Sequence, residues 1–167
     1  MTSLIHHADP VPDNPLDLVE HVLAEHEWDC DRRDDEELAV GVAGRWCDYH
    51  LWFCWHADRR ALHLSCALDL KVPAAKRSEV HRLLALINAR IAVGNFDLCS
   101  DDGPMVFRQA LLLRGCAGAR AAQVEDMMEI ALNECDRFYP ALQFLLWGGR
   151  SADEAMAAAL LETVGEA

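Results

Sequence analysis

The sequence predicts an α+β domain: an antiparallel sheet of about five strands with helices packed on it, in the order α-β-β-β-α-β-β-α-α. Residues 46–70 hold two runs in which every second side chain is apolar, a spacing typical of strands with one buried face. The segments outside the strand runs repeat their apolar residues every three or four positions, as helices with one buried face do. Consecutive hairpins with their helices gathered on one face make an α+β domain.

The first helix and first strand precede these two runs. Asn14 is placed to cap a helix, with Pro15 at its first position. Residues 28–35 form a charged connection, and residues 36–43 then alternate as a strand does. We expect residues 1–13, rich in Pro, Asp and His, to be a disordered tail, and residues 14–167 to form a single domain.

The two alternating runs predict a central β-hairpin with one buried side. The polar residues 57–60 separate the runs. Folding the chain between Asp58 and Arg59 brings the two apolar faces together, and only one register does so. That register pairs Tyr49 with Leu68, Leu51 with Cys66, Phe53 with Leu64 and Trp55 with Leu62.

A second helix and a second hairpin follow. The helix is predicted to start at Pro73 and to end at Gly94, with Ile91 on its apolar face. Asp102-Gly103 is a strong hairpin signal, and a turn there sets Leu98 opposite Phe107 and Asp97 opposite Arg108. This register leaves Gln109 among apolar residues without an explanation.

The C-terminal part is predicted to be two helices. The longer one contains Pro140, which removes a backbone donor and is expected to kink it. Gly148-Gly149 ends this helix. A capping box at Ser151 and Glu154 opens the last helix.

Composition excludes several classes of function. The formal net charge of −13 argues against a nucleic-acid or anionic-membrane partner, since both need clustered Lys and Arg. None of the seven cysteines forms a CxxC pair, which favours reduced thiols in a reducing compartment. The N-terminus lacks the features of a signal peptide and no apolar run is long enough to span a membrane. We therefore expect a cytoplasmic protein.

The candidate partner-binding residues are Trp46, His50, Trp52 and His63, which the alternation places on the polar side of the central hairpin. Aromatic residues are favoured at the centres of interfaces, so this side is a candidate docking face. The alternative is that the C-terminal helices of the same chain cover it. The pattern of residues does not choose between the two.

A metal or catalytic site is the rival interpretation of the same side. The hairpin register sets His63 opposite Cys54, with His56 nearby, and two imidazoles with a thiolate can bind zinc. Cys54 and His63 are also a nucleophile and a base in principle. The spacing matches no closed structural zinc site, and the chain holds no phosphate-binding loop, dinucleotide fingerprint or nucleophile elbow. We therefore expect no cofactor and no catalytic residue.

The sequence also resembles a known family. The residues that carry the resemblance are Trp52-Phe53, Asn88-x5-Gly94 with Phe96 and Leu98, Asp102-Gly103 with Phe107-Arg108, and the stretches 137–150 and 151–155. On these the chain is similar to the YbjN-type family of bacterial sensory-transduction regulators. The resemblance implies a fold like that of the type III secretion chaperones, which are small acidic proteins that bind partner polypeptides and commonly dimerise. It implies no catalytic residue, and the longer C-terminal helix pair departs from the chaperone pattern.

These observations together favour a non-enzymatic protein-interaction or regulatory module. Its partner would be another protein or a second copy of the chain. The alternative is a small metal-dependent sensor or enzyme that uses Cys54, His56 and His63.

Overall fold

The computed structural model describes residues 14–99 and 103–164, with side chains through residue 161. It confirms the α+β class and the predicted order of elements, with six strands in place of about five. The strands form one antiparallel sheet in the order β1-β2-β3-β4-β6-β5. The elements are α1 (Pro15–Glu25), β1 (Cys30–Arg32), β2 (Glu37–Ala43), β3 (Asp48–His56), β4 (Ala61–Leu68), α2 (Arg77–Asn88), β5 (Asn95–Leu98), β6 (Met105–Leu112), α3 (Ala121–Leu146) and α4 (Ala152–Val164). The predicted tail, residues 1–13, lies outside the described residues.

The sixth strand, β1, corrects the prediction that residues 28–35 only connect two elements. Cys30 pairs with Val40 and Arg32 with Leu38 at one edge of the sheet. Three residues are too few to show a strand period, and two of the three are charged. Arg32 also ties the strand to α1, because its guanidinium lies 2.9 Å from an Asp17 carboxylate oxygen and 3.2 Å from one of Glu20.

The central hairpin has the predicted register at all four pairs that the alternation specified. We call the side that carries Tyr49, Phe53 and Leu64 the inner face; these three side chains are fully buried. The helices cover this face. The Tyr49 hydroxyl donates a 2.7 Å hydrogen bond to Asp136 on α3, and α4 packs mainly on α2 and α3.

The second hairpin has a different register from the predicted one. Leu98 pairs with Met105 and Asp97 with Val106, so the strands are displaced by two residues. The Cys99 N–H donates to the Pro104 carbonyl at 3.2 Å, and the predicted turn at Asp102-Gly103 lies partly outside the described residues. A shift of two residues preserves the faces, so Asp97 still forms an ion pair with Arg108, now diagonally.

The structure explains the polar side chain of Gln109. Gln109 lies on β6 opposite Leu64 and is partly buried under α3. Its side-chain amide donates to the carbonyl oxygen of Met127 at 2.5 Å. A buried amide with a partner of this kind stabilises rather than destabilises the core.

Helix α2 ends earlier than predicted. A 3₁₀ turn at Ala74–Lys76 precedes it, and it stops at Asn88 rather than continuing through Ile91. The Asn88 side chain accepts from the Phe96 N–H at 2.8 Å and donates to the Phe96 carbonyl at 2.9 Å. These two bonds fix the end of α2 to β5. Gly94, which lies between Asn88 and Phe96 in the chain, has φ +80° and lies against the Phe107 ring.

The two C-terminal helices occur where they were predicted. Helix α3 continues through Pro140 to Leu146. The capping box of α4 is formed: the Ser151 N–H donates to the Glu154 carboxylate at 2.9 Å, and the Glu154 N–H donates to the Ser151 hydroxyl at 3.3 Å.

Candidate functional site

The face of the sheet opposite the helices, which we call the outer face, carries most of the candidate residues. His50, Trp52, Cys54 and His56 follow one another along β3, and His63 lies beside Cys54 on β4. In the part of the chain that the structure describes, the helices pack on the inner face. The question that the sequence left open is therefore answered: the C-terminal helices do not cover Trp52.

Trp52 lies at the centre of the outer face. It is opposite Ser65 on β4, as predicted, and opposite Ala39 on β2. Both neighbours are small, so the indole is partly buried without being enclosed. The guanidinium carbon of Arg33 lies 4.2 Å from the centre of the indole ring, well within the range of a cation–π contact.

An open groove of about 480 Å³ lies beside Trp52. Its walls are formed by residues before, within and just after β1, and by residues of β2 and β3. The polar lining residues are Asp29, Asp31, Arg33 and His50. Sequence reasoning missed the first three because they belong to a segment whose only visible signal was its density of charge.

Trp46 does not lie on the outer face. It is in the loop between β2 and β3, since β3 begins only at Asp48. Its ring stacks on Tyr139 of α3 with an interplanar angle of 3°, and its indole N–H donates to the Asp136 carbonyl at 2.9 Å. Although Trp46 is 39% exposed, it joins the loop to the helix layer, so it is not part of the candidate docking face.

Asp136 fixes this loop from the helix side. One of its carboxylate oxygens accepts from the Arg45 N–H at 3.1 Å and from the Tyr49 hydroxyl at 2.7 Å. Burial, and next the carboxylate of Asp136, raise the pKa of Tyr49. Tyr49 therefore stays protonated as a hydrogen-bond donor.

The structure brings Cys54, His56 and His63 near one another but does not give them the properties of a reactive site. The rings of His56 and His63 are 4.6 Å apart. Burial raises the pKa of Cys54, and Glu37 and Asp34 raise it further. A nucleophilic or metal-binding thiol needs the opposite shift. Burial, with smaller contributions from His56 and Arg59, lowers the pKa of His63.

No group of three or more His, Cys, Asp or Glu side chains is arranged to hold a metal ion within residues 14–99 and 103–161. The predicted set of Cys54, His56 and His63 is therefore not such a group. The seven cysteines are free thiols, and two of them meet in the core, where the sulfur atoms of Cys66 and Cys135 lie 3.7 Å apart. The hydrogen bond to Cys66, followed by burial, raises the pKa of Cys135, so the Cys135 thiol stays protonated at neutral pH.

The comparisons with known proteins agree with the resemblance seen in the sequence. One solved structure, "Crystal structure of YbjN, a putative transcription regulator from E. coli", matches 72% of this chain and 85% of its own chain, with a TM-score of 0.53 and 15% identity. At that identity the likeness shows the fold alone. No curated protein matches the sequence. No helix among the described residues is long and apolar enough to cross a membrane.

A family model covers most of the chain. It is the YbjN model, described as "Putative bacterial sensory transduction regulator", and it matches residues 15–144. The match spans α1, the whole sheet and nearly all of α3, whereas α4 lies beyond it. The chain therefore belongs to the YbjN family of regulators.

Proposed function

We propose that this chain is a non-enzymatic regulatory protein of the cytoplasm that binds a partner polypeptide on the outer face of its sheet. One observation carries the proposal: the helices pack on the inner face, while Trp52 lies uncovered by them at the centre of the outer face. Trp is among the residue types that are most enriched at the energetic centres of protein interfaces.

The composition of the outer face suits a partner better than it suits solvent alone. Trp52 and the small residues around it provide an apolar centre, and His50 and His63 provide a polar border. Interfaces commonly have this arrangement of an apolar core and a polar rim. The resemblance to type III secretion chaperones, which bind partner polypeptides, supports the same function.

The rival function, a metal-dependent sensor or enzyme, has less support. It depends on a thiolate at Cys54, and the raised pKa of that thiol disfavours the thiolate. A docking function needs no ionised thiol.

Site-specific photo-crosslinking in the source cell tests the proposal. A benzoylphenylalanine in place of His50 reports on the outer face, because His50 is exposed beside Trp52. The same probe in place of Glu129, exposed on α3, is the matched control on the helix side. We expect a covalent adduct with a polypeptide from position 50 and none from position 129.

The size of the adduct identifies the kind of partner. An adduct of twice the 18.7 kDa mass of the chain indicates a second copy, and any other size indicates a different protein. Adducts from position 129 alone, or from neither position, would contradict docking on the outer face.

A further inference from the structure

We infer that Trp52 is a receptor for a cationic side chain of the partner, and that Arg33 is an internal occupant which the partner displaces. The inference rests on the proposed docking function and names the chemistry of the partner: a basic segment that presents an Arg or Lys. Arg33 then lowers the apparent affinity of Trp52 for the partner's side chain.

The first argument is the contact that the structure already contains. The Arg33 guanidinium lies over the face of the Trp52 indole at 4.2 Å. Arg33 itself is exposed, at the start of the turn between β1 and β2, where its N–H donates to the Glu37 carbonyl. A long exposed side chain on a turn can leave the ring without disturbing the sheet.

The neighbouring residue, Arg32, is an arginine that ion pairs hold in place, and it provides a comparison for Arg33. Arg32 lies within 3.2 Å of carboxylate oxygens of both Asp17 and Glu20, and only 20% of its side chain is exposed. Three carboxylates, those of Asp17, Glu20 and Asp35, hold Arg32 in place. The described side-chain contact of Arg33 is the face of one ring. The two adjacent arginines therefore differ in how easily they move.

The second argument is the charge around the ring. Asp29 and Asp31 line the groove beside Trp52. Asp34 and Glu37 are close enough to the next residue on the same face, Cys54, to raise the pKa of its thiol. Among the residues that line the groove, Arg33 is the one Lys or Arg. When Arg33 leaves, an aromatic ring remains in a groove lined by Asp29 and Asp31, and such a site favours a cation.

The internal contact lowers the apparent affinity for any external cation. An exposed cation–π contact of about 0.5–1 kcal/mol reduces the fraction of vacant receptor by about three- to sixfold. Removal of the Arg33 guanidinium should tighten binding by the same factor. This reverses the usual expectation that a substitution in a binding site weakens it.

The test uses the full chain and a defined probe, an acetylated octapeptide of alternating glycine and arginine. Binding is followed through the indole N–H signals of the five tryptophans, with the Trp52 signal assigned by Trp52→Leu. We expect the Trp52 signal to move and the dissociation constant to rise with salt. A peptide with citrulline in place of arginine, which has nearly the same shape without the charge, should not bind.

Two substitutions separate vacating the ring from a general loss of charge. Arg33→Ala removes the side chain that covers the ring, whereas Arg114→Ala removes the same charge from an exposed residue beyond β6. We expect Arg33→Ala to bind the arginine peptide about three- to sixfold more tightly than Arg114→Ala does. The inference would be overturned if the two variants bound the arginine peptide with equal affinity. It would also be overturned if the citrulline peptide bound as tightly as the arginine peptide, or if Trp52→Leu bound the arginine peptide as tightly as the wild type does.

The result is distinguishable from failure of the proposed function. An adduct at position 50 together with equal affinities of the two Ala variants leaves the docking function standing and removes the displacement of Arg33. If the peptide binds at Trp52 but no adduct forms in the cell, the cation receptor is supported and the proposal of a polypeptide partner is contradicted.

Discussion

Phe53→Ala tests the assignment of the two faces, because Phe53 and Trp52 are adjacent on β3 and point to opposite sides. Phe53 is fully buried, between Leu38 and Leu64 on the neighbouring strands. Its truncation removes apolar burial and leaves a cavity under the helices. Such changes lower the free energy of unfolding by about 3–5 kcal/mol. Trp52→Ala opens a space that water can enter, so only the transfer of part of one ring is lost, about 1–2 kcal/mol.

Urea denaturation followed by far-UV circular dichroism measures both losses. With a urea dependence of about 2 kcal/mol/M, Phe53→Ala should lower the midpoint by about 1.5–2.5 M and Trp52→Ala by less than about 1 M. Phe53→Leu, which keeps most of the side-chain volume, is the control. Its urea midpoint should lie between those of the wild type and Phe53→Ala. A midpoint lowered more by Trp52→Ala than by Phe53→Ala would show that the faces have been assigned the wrong way round.

Three further predictions concern other parts of the molecule. Asp136→Ala leaves the Tyr49 hydroxyl without its acceptor and should lower the free energy of unfolding by about 1–3 kcal/mol in the same assay; an unchanged midpoint would mean that water replaces the carboxylate. Gly94→Ala forces a side chain into a left-handed conformation against a core ring and should destabilise by at least about 1 kcal/mol, whereas a neutral effect would contradict the tight contact described. Because the pKa of Cys54 is raised, its thiolate fraction is small at pH 7 and grows as the pH rises. Mass spectrometry should therefore find that iodoacetamide labels the half-buried Cys54 more slowly than the exposed Cys116 at pH 7, and that labelling of Cys54 becomes faster as the pH rises. A labelling rate at Cys54 that does not change with pH would contradict its raised pKa.

The central hairpin was predictable because both of its strands alternate over eight or nine residues. Two long patterns that must face the same way allow one register. The second hairpin was not predictable to the residue. Strand β5 is only four residues long, and a shift of two residues changes no face, so alternation does not choose between the two registers.

The candidate site was predictable only in its centre. Alternation placed His50, Trp52 and His63 on one face, and the structure confirms that placement. The same alternation wrongly included Trp46, because nothing in the pattern marks Asp48 as the first residue of the strand. Arg33 reaches Trp52 from a turn nineteen positions earlier in the chain, and a contact of that kind has no periodic signal.

The affinity of the photo-crosslinked partner for two tryptophan variants tests the central claim most directly. Trp52 lies on the outer face, and Trp147, at the end of α3, is 65% exposed on the helix side. If the partner docks on the outer face, Trp52→Ala should weaken binding by about thirtyfold or more, as loss of an aromatic anchor does, and Trp147→Ala should leave the dissociation constant unchanged. A dissociation constant that rises for Trp147→Ala and stays at the wild-type value for Trp52→Ala would contradict docking on the outer face.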